Sequence, residues 1–349
     1  MKACVAALLM PTVVLSLVLI AGAQTSSSPV ASEIAGFTSF EVPGTTTPGT
    51  PQLSLKSIGL VRPIEYQGIA EKIRAVTLTD SEAVWTQDQF NPVKAKIGTS
   101  THYVELTTGP LAGALFDILR TDAKRKTLTL AQVVPAKAGL KVGFRIREYW
   151  TLASLFGAAN DIGLVAGAEN EADQIWIYNG KSYDKYFYSL GEAGLGWRRV
   201  GGGTKDEASR KLYPDDGLIM IRGADSTAST LIKGVVKTDR MLIPVRRKYN
   251  LVANISQTPL TLSSSQLYTG NAATGLRAGA TAVTADNVIL HNGSGYDIYY
   301  YQKSVRNGTG WRLSSDPLSD VGAISIAQGG AFAIQRRGSK GFNWFTPAR

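Results

Sequence analysis

Two histidines and one cysteine are all this chain offers of near-neutral acid–base or thiolate chemistry. His102 opens the alternating run "HYVEL" with no second ligand at a useful spacing, so a zinc site there lacks its donors. His291 lies in "NVILHNG", and the similar stretch "QIWIYNG" has Tyr178 at that place. A position that accepts either ring reads as amphipathic packing rather than proton transfer. Cys4 falls in the first apolar run, so disulfides, thiolate–metal sites and cysteine nucleophiles are not expected further along. No G-x-S-x-G elbow or phosphate-binding P-loop occurs. Asp215 and Asp216 are adjacent and invite a glycosidase reading, but the matching stretch carries Gln328 and Gly329. Asp173/Asp286 and Asp184/Asp297 recur beside turns, where a carboxylate serves to accept backbone N–H groups. A calcium site would ask for a denser D-x-D-x-D cluster. No catalytic residue, cofactor or metal is expected.

The remaining chemistry is aromatic. "NGKSYDKYFY" (179–188) returns as "NGSGYDIYYY" (292–301). In an extended strand Asp184, Tyr186 and Tyr188 share one face, as do Asp297, Tyr299 and Tyr301 in the second stretch. "GLGWRR" and "GTGWRL" follow and place Trp197–Arg198 and Trp311–Arg312 on a neighbouring strand. Two uses compete for these residues. One is packing, with a face in the core and cross-strand aromatic pairs. The other is a half-exposed platform for sugar rings or anionic groups, made of Tyr186, Tyr188, Trp197, Arg198, Tyr299, Tyr301, Trp311 and Arg312.

These residues must be positioned by strands. Short β-type runs bounded by turn residues fill the chain beyond residue 57, and helical periodicity is scarce. Residues 173–188 and 286–301 share seven identities in sixteen gap-free positions. "DGLIMIRG" then matches "GGAFAIQRRG" with Arg222 opposite Gln335, and "YWTLAS" (149–154) matches "YNLVAN" (249–254). The order of landmarks is the same, which marks a duplication. Each Asn-Gly ends a strand at a hairpin. The expected class is mainly β: tandem duplicated β-sandwich or barrel-like modules, residues 149–240 and 241–349, plus a small β-domain over 57–148. That domain is either inserted into the first repeat or simply N-terminal to both. Residues 24–56 read as one strand and a Pro/Thr/Gly linker.

The first 23 residues have a positive start, an apolar run and an A-x-A ending, the layout of a secretory signal peptide. No later stretch is long and apolar enough to span a bilayer. Secretion, to the extracellular space or the outer surface, is therefore expected. The formal charge of +10 is spread in short clusters, which suits a basic soluble surface more than nucleic-acid binding.

The stretches "HYVELTTGPLAGALFDILRTDAKRKTLTL", "FRIREYWTLASLFG", "GWRRVG" and "LYPDDGLIMIRG" resemble an uncharacterised family of secreted proteins of Verrucomicrobia. The resemblance covers nearly the whole chain after the signal, implies a secreted β-protein and carries over no catalytic residue. More loosely, the turn-and-Trp pattern is similar to repeat modules of bacterial surface proteins, with the "PGxG" element replaced by "PDDG" and "AQGG". The expected function is a secreted, non-catalytic structural or adhesive component of the cell surface or matrix. The alternatives are a binding module for anionic polysaccharide or cell-envelope components and, third, an extracellular hydrolase.

Overall fold

Alternating runs rich in Val, Ile, Tyr and Thr, cut by Gly, Asn and Pro, favour pleated strands over helix. The structure, a computed structural model, describes residues 33–92, 96, 98–191, 194–256, 258–304 and 308–348, so the expected signal lies outside the described residues. Strands make up 44% of the described residues and helix 2%, which makes the class mainly β. No sheet closes into a hydrogen-bonded barrel among the described residues.

Three apolar cores organise the chain. The first belongs to a five-stranded sheet with the order Gly196–Arg199, Tyr183–Ser189, Gln174–Tyr178, Leu218–Arg222, Gln52–Lys56. The third belongs to a sheet with the order Gly308–Leu313, Tyr296–Ser304, Asn287–His291, Ala331–Arg336, Lys248–Ala253. Both sheets are antiparallel throughout. A second layer also repeats. Ala35–Val42 pairs with Ala228–Val236 in the first copy, and Leu242–Val245 with Phe342–Phe345 in the second. Trp150–Thr151 pairs with Lys211–Leu212, and Leu260–Thr261 with Ser325–Ile326. The repeat therefore extends to these strand pairs, while Leu60–Val61, which borders Ala228–Val236, occurs in the first copy alone among the described residues.

The second core fills a curled seven-stranded sheet, ordered Ile64–Ala70, Val142–Glu148, His102–Leu106, Leu115–Asp122, Thr127–Leu130, Thr77–Thr79, Lys72–Arg74. Its two end strands are separated in the chain by Glu71 alone, so the sheet must roll until its ends meet. This domain is inserted into the first copy. It stands between Gln52–Lys56 and Trp150–Thr151, whereas in the second copy only residues 254–259 separate the equivalent strands.

Two details of the sequence alignment are thereby corrected. The counterpart of "YNLVA" (249–253) is "LSLKS" (53–57), because Lys248–Ala253 and Gln52–Lys56 are the strands that border Ala331–Arg336 and Leu218–Arg222. "WTLAS" (150–154) answers to "LTLSS" (260–264): Thr151 and Ser154 cap each other's backbone N–H groups at 2.8 and 3.1 Å, as Thr261 and Ser264 do. The first unit therefore begins near residue 35, not at 149. Arg222 is opposite Arg336, not Gln335. Each donates to a buried aspartate, Asp173 (2.5 Å) or Asp286, whose other oxygen accepts the next residue's N–H.

The copies touch reciprocally. Lys56 bridges Gly330 and Val252 bridges Asp216. Ser57 N donates to Gly329 O (2.8 Å) and Ala253 N to Asp215 O (3.1 Å). Equivalent residues exchange equivalent contacts, the pattern of a two-fold related pair.

Candidate functional site

The eight aromatic and arginine residues of the expected platform are not a surface. Seven are buried, between 0% exposed at Trp197 and 7% at Arg198, and Tyr301 is half-buried against Tyr268 with ring centroids 3.5 Å apart. Tyr186, Tyr188 and Trp197 belong to the first core, and Tyr299 and Trp311 to the third. Tyr188–Trp197 and Tyr301–Trp311 are cross-strand pairs in near-perpendicular contact at 5.4 and 5.7 Å. Rings closed in this way cannot stack on a sugar, so packing is their use.

Arg198 and Arg312 curl back on the turn that precedes them. Each Nη1 donates to the carbonyl of its own Trp and faces Asp206 or Asp320 (3.4 and 3.2 Å). The glycine before each Trp makes this possible. Gly196 and Gly310 have φ of 124° and 144°, and a Cβ there would lie 3.2 or 2.8 Å from the guanidinium. The recurring Gly-x-Gly-Trp-Arg is thus a packing device.

The turns behave as expected. Asn179 Oδ1 accepts from Lys181 and Ser182 N, and its Nδ2 donates to Asp184 (3.1 Å); Asn292 repeats this with Ser294, Gly295 and Asp297. His291 packs against Tyr296, and His102 is held by Thr101 and Glu65 at 2.8 and 3.1 Å. Among the described residues no three His, Cys, Asp or Glu side chains are grouped to hold a metal. None of the described helices is long and apolar enough to cross a membrane.

The concave site lies elsewhere, where the inserted domain meets the first copy. A cleft of about 930 Å³ opens there, with Gly98 to Thr101 and Glu148 on one wall and Asp184, Arg199 and residues 205–211 on the other. Tyr186 reaches it with one edge, and burial pushes its hydroxyl up to about 12. Asp184, Tyr186 and Arg199 come together because they lie on one face of adjacent strands, with Tyr186 paired to Arg199.

A buried charge cluster forms the floor. Lys211 Nζ donates to Asp117 Oδ2 and Ser100 Oγ, both at 2.7 Å. Tyr149 and Tyr213 donate their hydroxyls to the same carboxylate at 2.5 and 3.2 Å, and their rings flank the ammonium at 5.1 and 4.8 Å. Burial draws the Lys211 ammonium below the usual lysine range, while Asp117 acts the other way. Burial and then Asp117 hold the Tyr149 hydroxyl well above the usual range. Asp117 and Ser100 come from the inserted domain, Lys211 and Tyr213 from the first copy, so the cluster ties the two together.

The like strand order of the two five-stranded sheets serves as an internal control. Leu152 N donates to Arg210 O as Leu262 N does to Ile324 O, and Glu207 N to Trp197 O as Val321 N does to Trp311 O. On this register Arg199, Arg210, Lys211 and Tyr213 stand where the second copy has Leu313, Ile324, Ser325 and Ala327. None of these residues was among the candidates. The one visible signal was "GWRR" against "GWRL", a charge present in a single copy.

Compared with protein-family models, with curated proteins and with solved structures, the chain finds no match in any of the three.

Proposed function

We propose that this is an exported, non-catalytic adhesive β-protein of the cell surface or extracellular matrix, and that it holds a polysaccharide chain in the cleft beside the inserted domain. The observation that carries this reading is the cleft itself, an open concave site lined by hydrogen-bonding side chains in the one copy that received an extra domain. Ligand sites favour such junctions between domains. The carboxylates along it are engaged: Glu148 by Arg62 (2.5 Å), Asp184 by Asn179 (3.1 Å), Asp206 by Ala208 N (3.0 Å) and Glu207 by Lys205 (2.6 Å). A hydrolytic pair needs one carboxyl kept protonated and the other left to act on a water or the sugar, and committed carboxylates speak for holding rather than cutting. The expected export rests on residues 1–23.

Affinity electrophoresis of the purified protein through gels containing neutral and acidic polysaccharides tests this reading. Retardation by at least one polymer, with the polymer recovered at its original length, is the expected result. Migration unaffected by all of them removes the adhesive reading, and shortened polymer removes the non-catalytic one.

A further inference from the structure

We infer that the cleft selects polysaccharides that carry an acid group, and that Arg199 and Arg210 are the residues that read it. This deepens the proposed function and rests on it. The cleft holds hydrogen-bonding capacity that the protein leaves unused. Every carboxylate along the cleft has a partner within 3.1 Å. Among the described residues the two guanidiniums do not. Arg199 reaches Asp184 only at 3.9 Å and Arg210 only at 3.8 Å, both beyond hydrogen-bond length. Arg210 Nε is buried with no hydrogen-bond partner among the described residues. The Arg210 side chain as a whole is 25% exposed, so part of it faces the cleft that it lines. What the cleft still offers is donors in planar forks, which match a carboxylate or sulfate ester better than a neutral hydroxyl.

A second observation is independent of the first. The fold does not need these arginines, because the second copy builds the same strand and turn with Leu313 and Ile324. Asp184, which lies nearest to both, is retained in that copy as Asp297, where its partner is the turn Asn292 at 3.2 Å. The carboxylate therefore belongs to the hairpin, and the arginines were added to a framework that stands without them. Arg199 is half-exposed, so its donors are open to solvent and to a ligand. The Arg210 guanidinium carbon lies 5.7 Å from the centre of the Tyr186 ring, which braces it at the cleft wall.

The test is the double variant Arg199→Leu/Arg210→Ile, which installs the residues of the second copy. Its binding is measured against polygalacturonate, the methyl ester of that polymer, and dextran sulfate. The wild type is expected to bind an acidic polymer and to release it as salt rises, with the methyl ester bound more weakly. Preference for polygalacturonate assigns the site to a carboxylate, preference for dextran sulfate to a sulfate ester. Each single variant is expected to lose about tenfold in affinity, the effect of removing charge-assisted hydrogen bonds. The melting temperature of both should stay at the wild-type value. Binding of the methyl ester equal to that of both acidic polymers, or an unchanged affinity in the double variant, overturns this inference and leaves the adhesive reading standing. Absence of binding to any polymer overturns both.

Discussion

In the first copy a lysine, two arginines and a tyrosine occupy the edge that meets the inserted domain; in the second the same backbone carries serine, leucine, isoleucine and alanine. The two edges share their hydrogen bonds. Thr151 and Ser154 cap as Thr261 and Ser264 do, and the short strand pairs are identical in register. What the framework needs is therefore present twice, and what one copy alone possesses answers to its neighbour. Lys211 illustrates the distinction. Its side chain is 5% exposed and tied to Asp117 of the inserted domain, whereas Ser325 at the same place is open to solvent. A cation enters such an environment only with a carboxylate ready to meet it, so Lys211 and Asp117 make sense as a pair and neither does alone.

The largest effects should come from the features both copies share. Asp173→Ala and Asp286→Ala each strip the partner from a buried arginine, and losing one partner of a buried pair costs about 3–5 kcal/mol. Denaturant melts should give similar losses for the two. A large inequality would break the equivalence of the frameworks. Next comes Lys211→Ser, which gives the first copy the residue of the second and leaves the Asp117 carboxylate to the two tyrosines. A loss on the order of 3 kcal/mol is expected there, against less than about 0.5 kcal/mol for Ser325→Ala at an exposed site. Equal and small losses would show that the buried cluster contributes nothing to holding the inserted domain.

The last effect is confined to part of the pH range. Asp216, at the junction of the copies, is pushed up to about 7, first by burial and then by the neighbouring Asp215 carboxylate. The second copy has Gly330 in its place. A carboxyl whose folded pKa is raised favours the protonated native state. Its contribution is fully present below the ordinary carboxylate range and is lost as pH rises through about 7. Asp216→Asn should therefore melt like the wild type near pH 4 and higher above pH 7, since an amide oxygen still accepts from Tyr213 N. A melting difference that does not vary with pH would sharpen the comparison in another direction, by placing the effect in packing rather than charge.

Much of the architecture could be read from particular residues. Asn-Gly before an aromatic strand marks a hairpin because Asn supplies the acceptor for two amides and Gly the positive φ, 92° and 98° at Gly180 and Gly293. Those requirements are local, so they leave a local trace. The strand Gln52–Lys56 left none. "LSLKS" and "YNLVA" need only alternation to lie beside a sheet, and alternation preserves little identity. The chance likeness of "YWTLAS" to "YNLVAN" was stronger than the true correspondence. The cleft was illegible for a related reason. Ser100, Asp117, Glu148, Arg199 and Arg210 are brought together by the docking of one sheet on another, and no spacing along the chain announces that. The aromatic strand misled because Tyr and Trp serve a core and a sugar platform equally well until burial is known.

The place of the insertion also bears on how the chain gets to its fold. Val245 finds Phe342 across a single copy, but Val42 must find Ala228 across the whole inserted domain and most of its own unit. Closing the longer loop costs only a little more entropy, yet pairings distant in sequence are the slow ones to form. The inserted sheet and the second copy are each continuous in sequence, and the first copy alone waits for its two halves to meet. The second copy is therefore expected to complete before the first, and the early burial of Trp344 relative to Trp150 during refolding would report it. Until then the strand Gln52–Lys56 lacks Leu218–Arg222 to pair with, so its exposed edge is the point at which an unfinished chain is open to joining another.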